Sequence, residues 1–239
     1  MHPSAVLQNR VIEELAQEEF EVYAAKDEAK LKAVLWKYPD AIVFACINEG
    51  MKEDAWEKWI REVMTDTASV SIGVISNIDN ADERKKYTED LKLPCGYIVI
   101  KSDIPHFIKQ MALILNHVGA KGSRKFIRLP TEREPNTTVN IPMGGQFVNG
   151  FIRDISVVGF SCFFEEDPEL TKNKLFPDIQ LRLHSQLLNV DGIAYGSRID
   201  GDDKTYVMLF TQKVDSDERS KIRKFIHTTL QTRMDNELR

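Results

Sequence analysis

RKFIRLPTEREPNTTVNIPMGGQFVNGFIRDISVVG, residues 124–159, decides how this 239-residue chain is read. It opens on a basic pentad, Arg124 to Arg128, and closes on DISVVG, Asp154 to Gly159. Between them, Thr138–Ile141 and Gln146–Ser156 alternate apolar and polar residues with the period of two of a half-buried strand. The Gly144-Gly145 pair that separates them suits a tight hairpin turn. The stretch predicts antiparallel sheet, with a basic loop at its entrance and an acid, a hydroxyl and a glycine at its exit.

The same alternation continues downstream over Phe160–Phe164, Ile179–His184, Leu188–Arg198 and Thr205–Phe210. Turn chemistry stands between these runs, in DPEL, FPD, HSQ and DGDD. Six short strands without a long helix among them predict a small, closed or nearly closed antiparallel barrel. Ser216 is expected to cap a final helix, with Asp217 and Glu218 in its first turn. Ile222, Phe225, Ile226 and Leu230 would form its barrel-facing side.

Upstream the period changes. Ser4–Glu18 carries apolar residues at helical spacing, Glu19–Ala25 alternates like a short strand, and Asp27 can cap a helix that ends before Pro39. Apolar runs at Ala41–Cys46, Ser71–Ser76 and Gly96–Lys101 alternate with helices over about Lys52–Met64, Ala81–Leu91 and Pro105–Val118. Strands alternating with helices predict an α/β unit with a parallel sheet covered on both faces. A chain of this length accommodates two domains at about 150 residues each or fewer. The expected division is 1–118 for the α/β unit, 119–128 for a glycine-flanked linker and ligand loop, and 129–239 for the barrel with its helix. The fold class is thus a two-domain α+β protein.

Composition narrows the function. Residues 1–120 are net −6 and residues 121–239 net +1, so neither half is the basic domain that a nucleic-acid polymer attracts. No apolar run reaches the roughly 18 to 20 residues that span a bilayer, and no basic head with an apolar signal core opens the chain, so a cytoplasmic protein without membrane insertion is expected. Cys46, Cys95 and Cys162 lie far apart beside apolar residues and read as buried, reduced thiols; no zinc site is expected. No histidine has a nucleophile in a recognisable motif, and neither a Walker loop nor GxGxxG is present, so no enzyme is expected. Gly144–Gln146 repeats the GGQ of peptide release factors, but its place between two strands reads as a turn.

RKFIR followed by a barrel strand ending in DISVVG resembles the PilZ family, whose signatures are RxxxR and [D/N]xSxxG, both complete here. The resemblance covers about residues 121–232 and implies a receptor for cyclic di-GMP, a ring of two guanylates, without metal or cofactor. The implied ligand-binding residues are Arg124, Arg128, Asp154, Ser156 and Gly159. The chemistry suits that ligand. Guanidinium forks hold phosphate oxygens or the O6 and N7 of guanine. The Asp154 carboxylate can accept from guanine N1 and N2, Ser156 can donate or accept, and Gly159 would let a base approach the backbone. RxxxR alone is cheap, arising about once by chance in a chain of this size. A second copy, Arg219 to Arg223, reads as a solvated face of the final helix. Arg153 and Arg182 could also face the site, but strict alternation places Arg153 opposite Asp154 and so outside it; Arg182 and Arg198 are unassigned. Many PilZ members carry YGxxF near the last strand; Tyr206–Phe210, YVMLF, lacks that glycine.

The first half looks like a receiver domain that has lost its leading strand. Cys46 stands where the phosphoacceptor aspartate would be, so phosphorylation is not expected. Ser76 and Lys101 end their strands where a receiver has a hydroxyl and a lysine, and ordinary strand-end polarity explains both. These readings imply a switch acting on an unidentified protein partner. The alternative is a protein-interaction adaptor that keeps the PilZ scaffold without using the nucleotide.

Overall fold

The computed structural model describes residues 5–67, 69–100, 103–121, 124–200 and 203–239. By contact the chain divides into two units: Met1–Lys125 together with Gln231–Arg239, and Phe126–Leu230.

The first unit holds a parallel sheet of three strands, β1 (Ile42–Cys46), β2 (Ser71–Ser76) and β3 (Tyr97–Val99), in that order. Alternation decides what each face buries. Ala45, Ile72, Val74 and Tyr97 pack with α2 (Glu28–Leu35) and α3 (Glu53–Asp66) through Leu35, Trp59 and Ile60. On the other face, Ile75 and Ile98 pack with α1 (Ala5–Gln17) and α5 (Ile104–His117) through Leu15, Phe107 and Met111. Asp27 caps α2 as expected, accepting from Lys30 N at 2.9 Å. The helix expected over Ala81–Leu91 forms as α4 (Ala81–Lys85) running into a π-helical turn, Lys86–Asp90.

Glu19–Ala25 is not the strand its alternation suggests. The end of α1 is closed by left-handed Glu19, at φ 61°, with Glu19 N bonded to Ala16 O and Phe20 N to Leu15 O. That is the Schellman pattern, and it aims Phe20 into the core beside Leu15. Further on, the Gln231 side chain satisfies Ala24, accepting from its N and donating to its O, both at 2.9 Å. Ala24 thus finds backbone partners without a neighbouring strand. The receiver-like expectation rested on four strands; the sheet has three.

In the second unit, β5 (Thr137–Met143), β6 (Gln146–Ser156), β7 (Gly159–Phe163), β8 (Leu175–Leu183), β9 (Gln186–Asp200) and β10 (Asp203–Phe210) form an antiparallel sheet ordered β6-β5-β8-β9-β10-β7. Pairing of β6 with β7 closes it into a six-stranded barrel. The hairpin at Gly144-Gly145 has φ of 59° and 86°, the left-handed pair that a two-residue turn requires. Inward residues fill the interior: Val139, Ile141, Ile155, Ile179, Leu181 and Met208 are fully buried. FPD, expected as a turn, lies inside β8. There the register shifts between Phe176 and Ile179, and Asp178 takes φ 54°. A bulge tolerates proline, which cannot donate to the ladder.

The closing helix, α6 (Ser216–Glu237), buries Ile222, Phe225 and Ile226. Each such side chain contributes about 1.5–3 kcal/mol. Its cap is Asp215, one residue earlier than expected, whose carboxylate accepts from Glu218 N at 2.8 Å. Arg219 is not on a solvated face. Its guanidinium donates to Val157 O at 2.7 Å, Thr211 O at 2.9 Å and Val214 O at 3.3 Å, binding the helix to the β6–β7 turn and to the loop that leads into the helix.

Candidate ligand-binding site

A two-residue strand makes the site. β4 (Leu129–Pro130) pairs with β6 beyond the stretch occupied by β5, with Leu129 opposite Ile155 and Pro130 opposite Asp154. Thr131 extends the attachment, donating from N to Arg153 O at 2.8 Å and from its hydroxyl to Ile152 O. Leu129 is fully buried and fixes the inward face. Arg128, the next residue back, therefore reaches Asp154: Nη1 lies 3.9 Å from Oδ1. At that distance the two charges attract without a hydrogen bond, leaving their polar edges open to a third group. The Arg128 side chain is 50% exposed and that of Asp154 22%. The other oxygen of Asp154, Oδ2, accepts from Ser161 Oγ on β7 at 2.6 Å, which fixes the carboxylate's orientation.

Ser156 and Gly159 are occupied differently. Ser156 is buried, and its hydroxyl donates to Gly159 O at 3.1 Å while accepting from Val158 N at 3.4 Å. It closes the turn between β6 and β7. A Cβ on Gly159 would stand 2.2 Å from Met208 O, so it is the backbone of β10 that the missing side chain admits. The same turn is tied further by Arg219 on Val157 O and by Phe210 N on Val158 O at 2.9 Å. Arg124 is exposed and belongs to the first unit, the division falling between Lys125 and Phe126.

Alternation fails at Arg153. The β6–β7 register shifts between Ile152 and Asp154, so Arg153 is the extra residue of a β-bulge. Ile152 and Ile155 are buried while both residues between them are partly exposed, which puts Arg153 on the same outer face as Asp154. Its guanidinium carbon lies 5.4 Å from the centre of the Phe163 ring. Arg182 donates to His184 O at 3.4 Å.

At the end of β1, Cys46 is partly buried and its thiol is pushed up to about 11 by burial. Ser76 is buried and spends its hydroxyl on Ile78 N and O, at 3.1 and 3.0 Å, as strand-end polarity implies. Lys101 lies outside the described residues. Among the described residues no group of three or more His, Cys, Asp or Glu could hold a metal ion, and no helix is long and apolar enough to cross a membrane.

Neither a family model nor a curated protein matches the chain. Among solved structures, the chain is similar to the PilZ domain of Escherichia coli YcgR with c-di-GMP, at 15% identity and a TM-score of 0.40, over 48% of this chain and 97% of that one. It is similar to the K. pneumonia MrkH–c-di-GMP complex at 15% identity and a TM-score of 0.42, over 48% and 56%. For Borreliella burgdorferi PlzA in complex with c-di-GMP the values are 21%, 0.32, 51% and 57%. The chain thus spans only a little over half the length of the latter two.

Proposed function

We propose that this chain is a cyclic di-GMP receptor built on a PilZ-type barrel, and not an enzyme. The observation that carries the reading is the Arg128–Asp154 pair: two complete signatures, far apart in sequence, brought to 3.9 Å by the β4–β6 ladder. Arg128 offers a phosphate or the Hoogsteen edge of guanine a planar fork, and Asp154 offers guanine N1 and N2 an acceptor. Arg124 supplies a second guanidinium. Ser156 and Gly159 serve the site by shaping the turn that follows Asp154. A micromolar dissociation constant needs about 8 kcal/mol, within reach of a few charge-assisted hydrogen bonds at about 1.5–3 kcal/mol each together with base stacking.

The unit border falls inside RKFIR, between Arg124 and Arg128. Binding that engages both arginines would change the arrangement of the units and so the affinity for a protein partner, with an output in motility, polysaccharide synthesis or virulence. Coupling of about 1–3 kcal/mol is sufficient. A second reading, a nucleotide-independent adaptor, draws support from Ser156 and Gly159, since a barrel would keep both for its own packing. Partner capture with and without added cyclic di-GMP separates the two readings: the receptor's capture changes with nucleotide, the adaptor's does not.

A further inference from the structure

The outer face of β6 and β7 carries more than the signature residues. Two rungs from the Asp154–Ser161 hydrogen bond, Phe151 pairs with Phe163; their rings are stacked, 5.4 Å apart and 26° from parallel. Phe151 is 42% exposed on the outside of a strand, although inward positions bury apolar residues throughout this barrel. The bulge at Arg153 brings a guanidinium onto the Phe163 ring from the side of Asp154. The result is a continuous strip of two aromatic rings and a planar cation that ends at the carboxylate.

We infer that this strip is a purine-stacking platform, which holds the second base of the dinucleotide whose first base meets Asp154. Aromatic rings and guanidinium planes are the surfaces on which extruded bases stack, and the gain does not depend on a matching hydrogen-bond pattern. Arg153 adds positive charge beside the ring, suited to a ligand whose two bases are joined by phosphates. Across the bulge the β7 partners of Phe151 and Asp154 are Phe163 and Ser161, two residues apart, so the aromatic pair stands about 7 Å along the strand from the carboxylate at about 3.3 Å per residue, within reach of the second base of one dinucleotide. The inference rests on the receptor reading and adds to it a place for the second base.

Calorimetric titration with cyclic di-GMP, using the full chain and its Phe151→Leu, Phe151→Trp and Arg128→Ala variants, tests it. Leucine keeps an apolar side chain but cannot stack, so about tenfold weaker binding is expected for Phe151→Leu, with a melting temperature close to wild type. Phe151→Trp is expected to bind at least as tightly as wild type. The indole it introduces should lose fluorescence on titration beyond any change shown by the native tryptophans in the parent. Binding by Phe151→Leu within twofold of wild type, or a Phe151→Trp signal no different from the parent's, overturns the platform; the receptor reading then survives if Arg128→Ala abolishes binding. No binding by the wild type overturns both.

Discussion

The residues implied by two short signatures do not stand alike. Arg128 and Asp154 face outward and are not hydrogen-bonded to each other, so removing Arg128 should leave the barrel intact, whereas removing Asp154 also takes the acceptor from the buried Ser161 hydroxyl. Arg128→Ala and Asp154→Ala are each expected to weaken cyclic di-GMP binding at least tenfold, with a melting temperature near wild type for Arg128→Ala and a lowered one for Asp154→Ala, which strands the Ser161 hydroxyl. Gly159 is the opposite case. A methyl group there meets Met208 O at 2.2 Å, and since that atom is backbone the strand itself must move. Gly159→Ala is expected to cost at least about 1–3 kcal/mol in urea unfolding, as overpacking does, whether or not nucleotide is present. A loss of affinity with unchanged stability would assign Gly159 to the ligand instead. Asp167 gives a pH signature of its own. Hydrogen bonds from Lys204, then Tyr206, then the Glu169 amide hold its carboxyl down at about 2, against the ordinary 3.8. Because the folded value is the lower one, the stabilisation is present above about pH 4 and is lost as pH falls from there toward 2. Thermal melts over that range should show a steeper loss of stability for wild type than for Asp167→Asn; equal slopes would count against the network.

The elements show where sequence reading succeeds and where it stops. β5 alternates cleanly, because one face meets a core and the other water, and β6 is legible to its end residues, Gln146 and Ser156. Glu19–Ala25 alternates too, but alternation does not reveal whether a partner strand exists, and here Gln231 takes that place. Arg153 was lost for a related reason: one extra residue at a bulge reverses every inference from a period of two, and nothing in RDIS announces it. Arg219 was misread because its partners, Val157, Thr211 and Val214, are carbonyls, and carbonyls leave no trace in side-chain pattern. That arginine ties α6 to the turn of DISVVG. Arg219→Ala should destabilise the chain by about 2–3 kcal/mol, since hydrogen bonds from a charged donor are lost and the acceptors are left behind. A change under about 0.5 kcal/mol would place Arg219 among ordinary surface residues.

At the scale of the whole molecule, the three-stranded sheet and the closed barrel each have their own core, and the border between the two units runs through the basic pentad. The expectation of a receiver in the first unit keeps the parallel strands and loses the fourth strand; Cys46, with its thiol pushed up by burial, leaves no carboxylate at the end of β1. The central proposal is that Arg128 and Asp154 hold a cyclic dinucleotide. Calorimetric titration of the full chain with cyclic di-GMP, beside Arg128→Ala, tests this most directly. Saturable binding by wild type at micromolar ligand, lost in the variant, is the predicted result; no detectable binding by wild type at high micromolar ligand would contradict it.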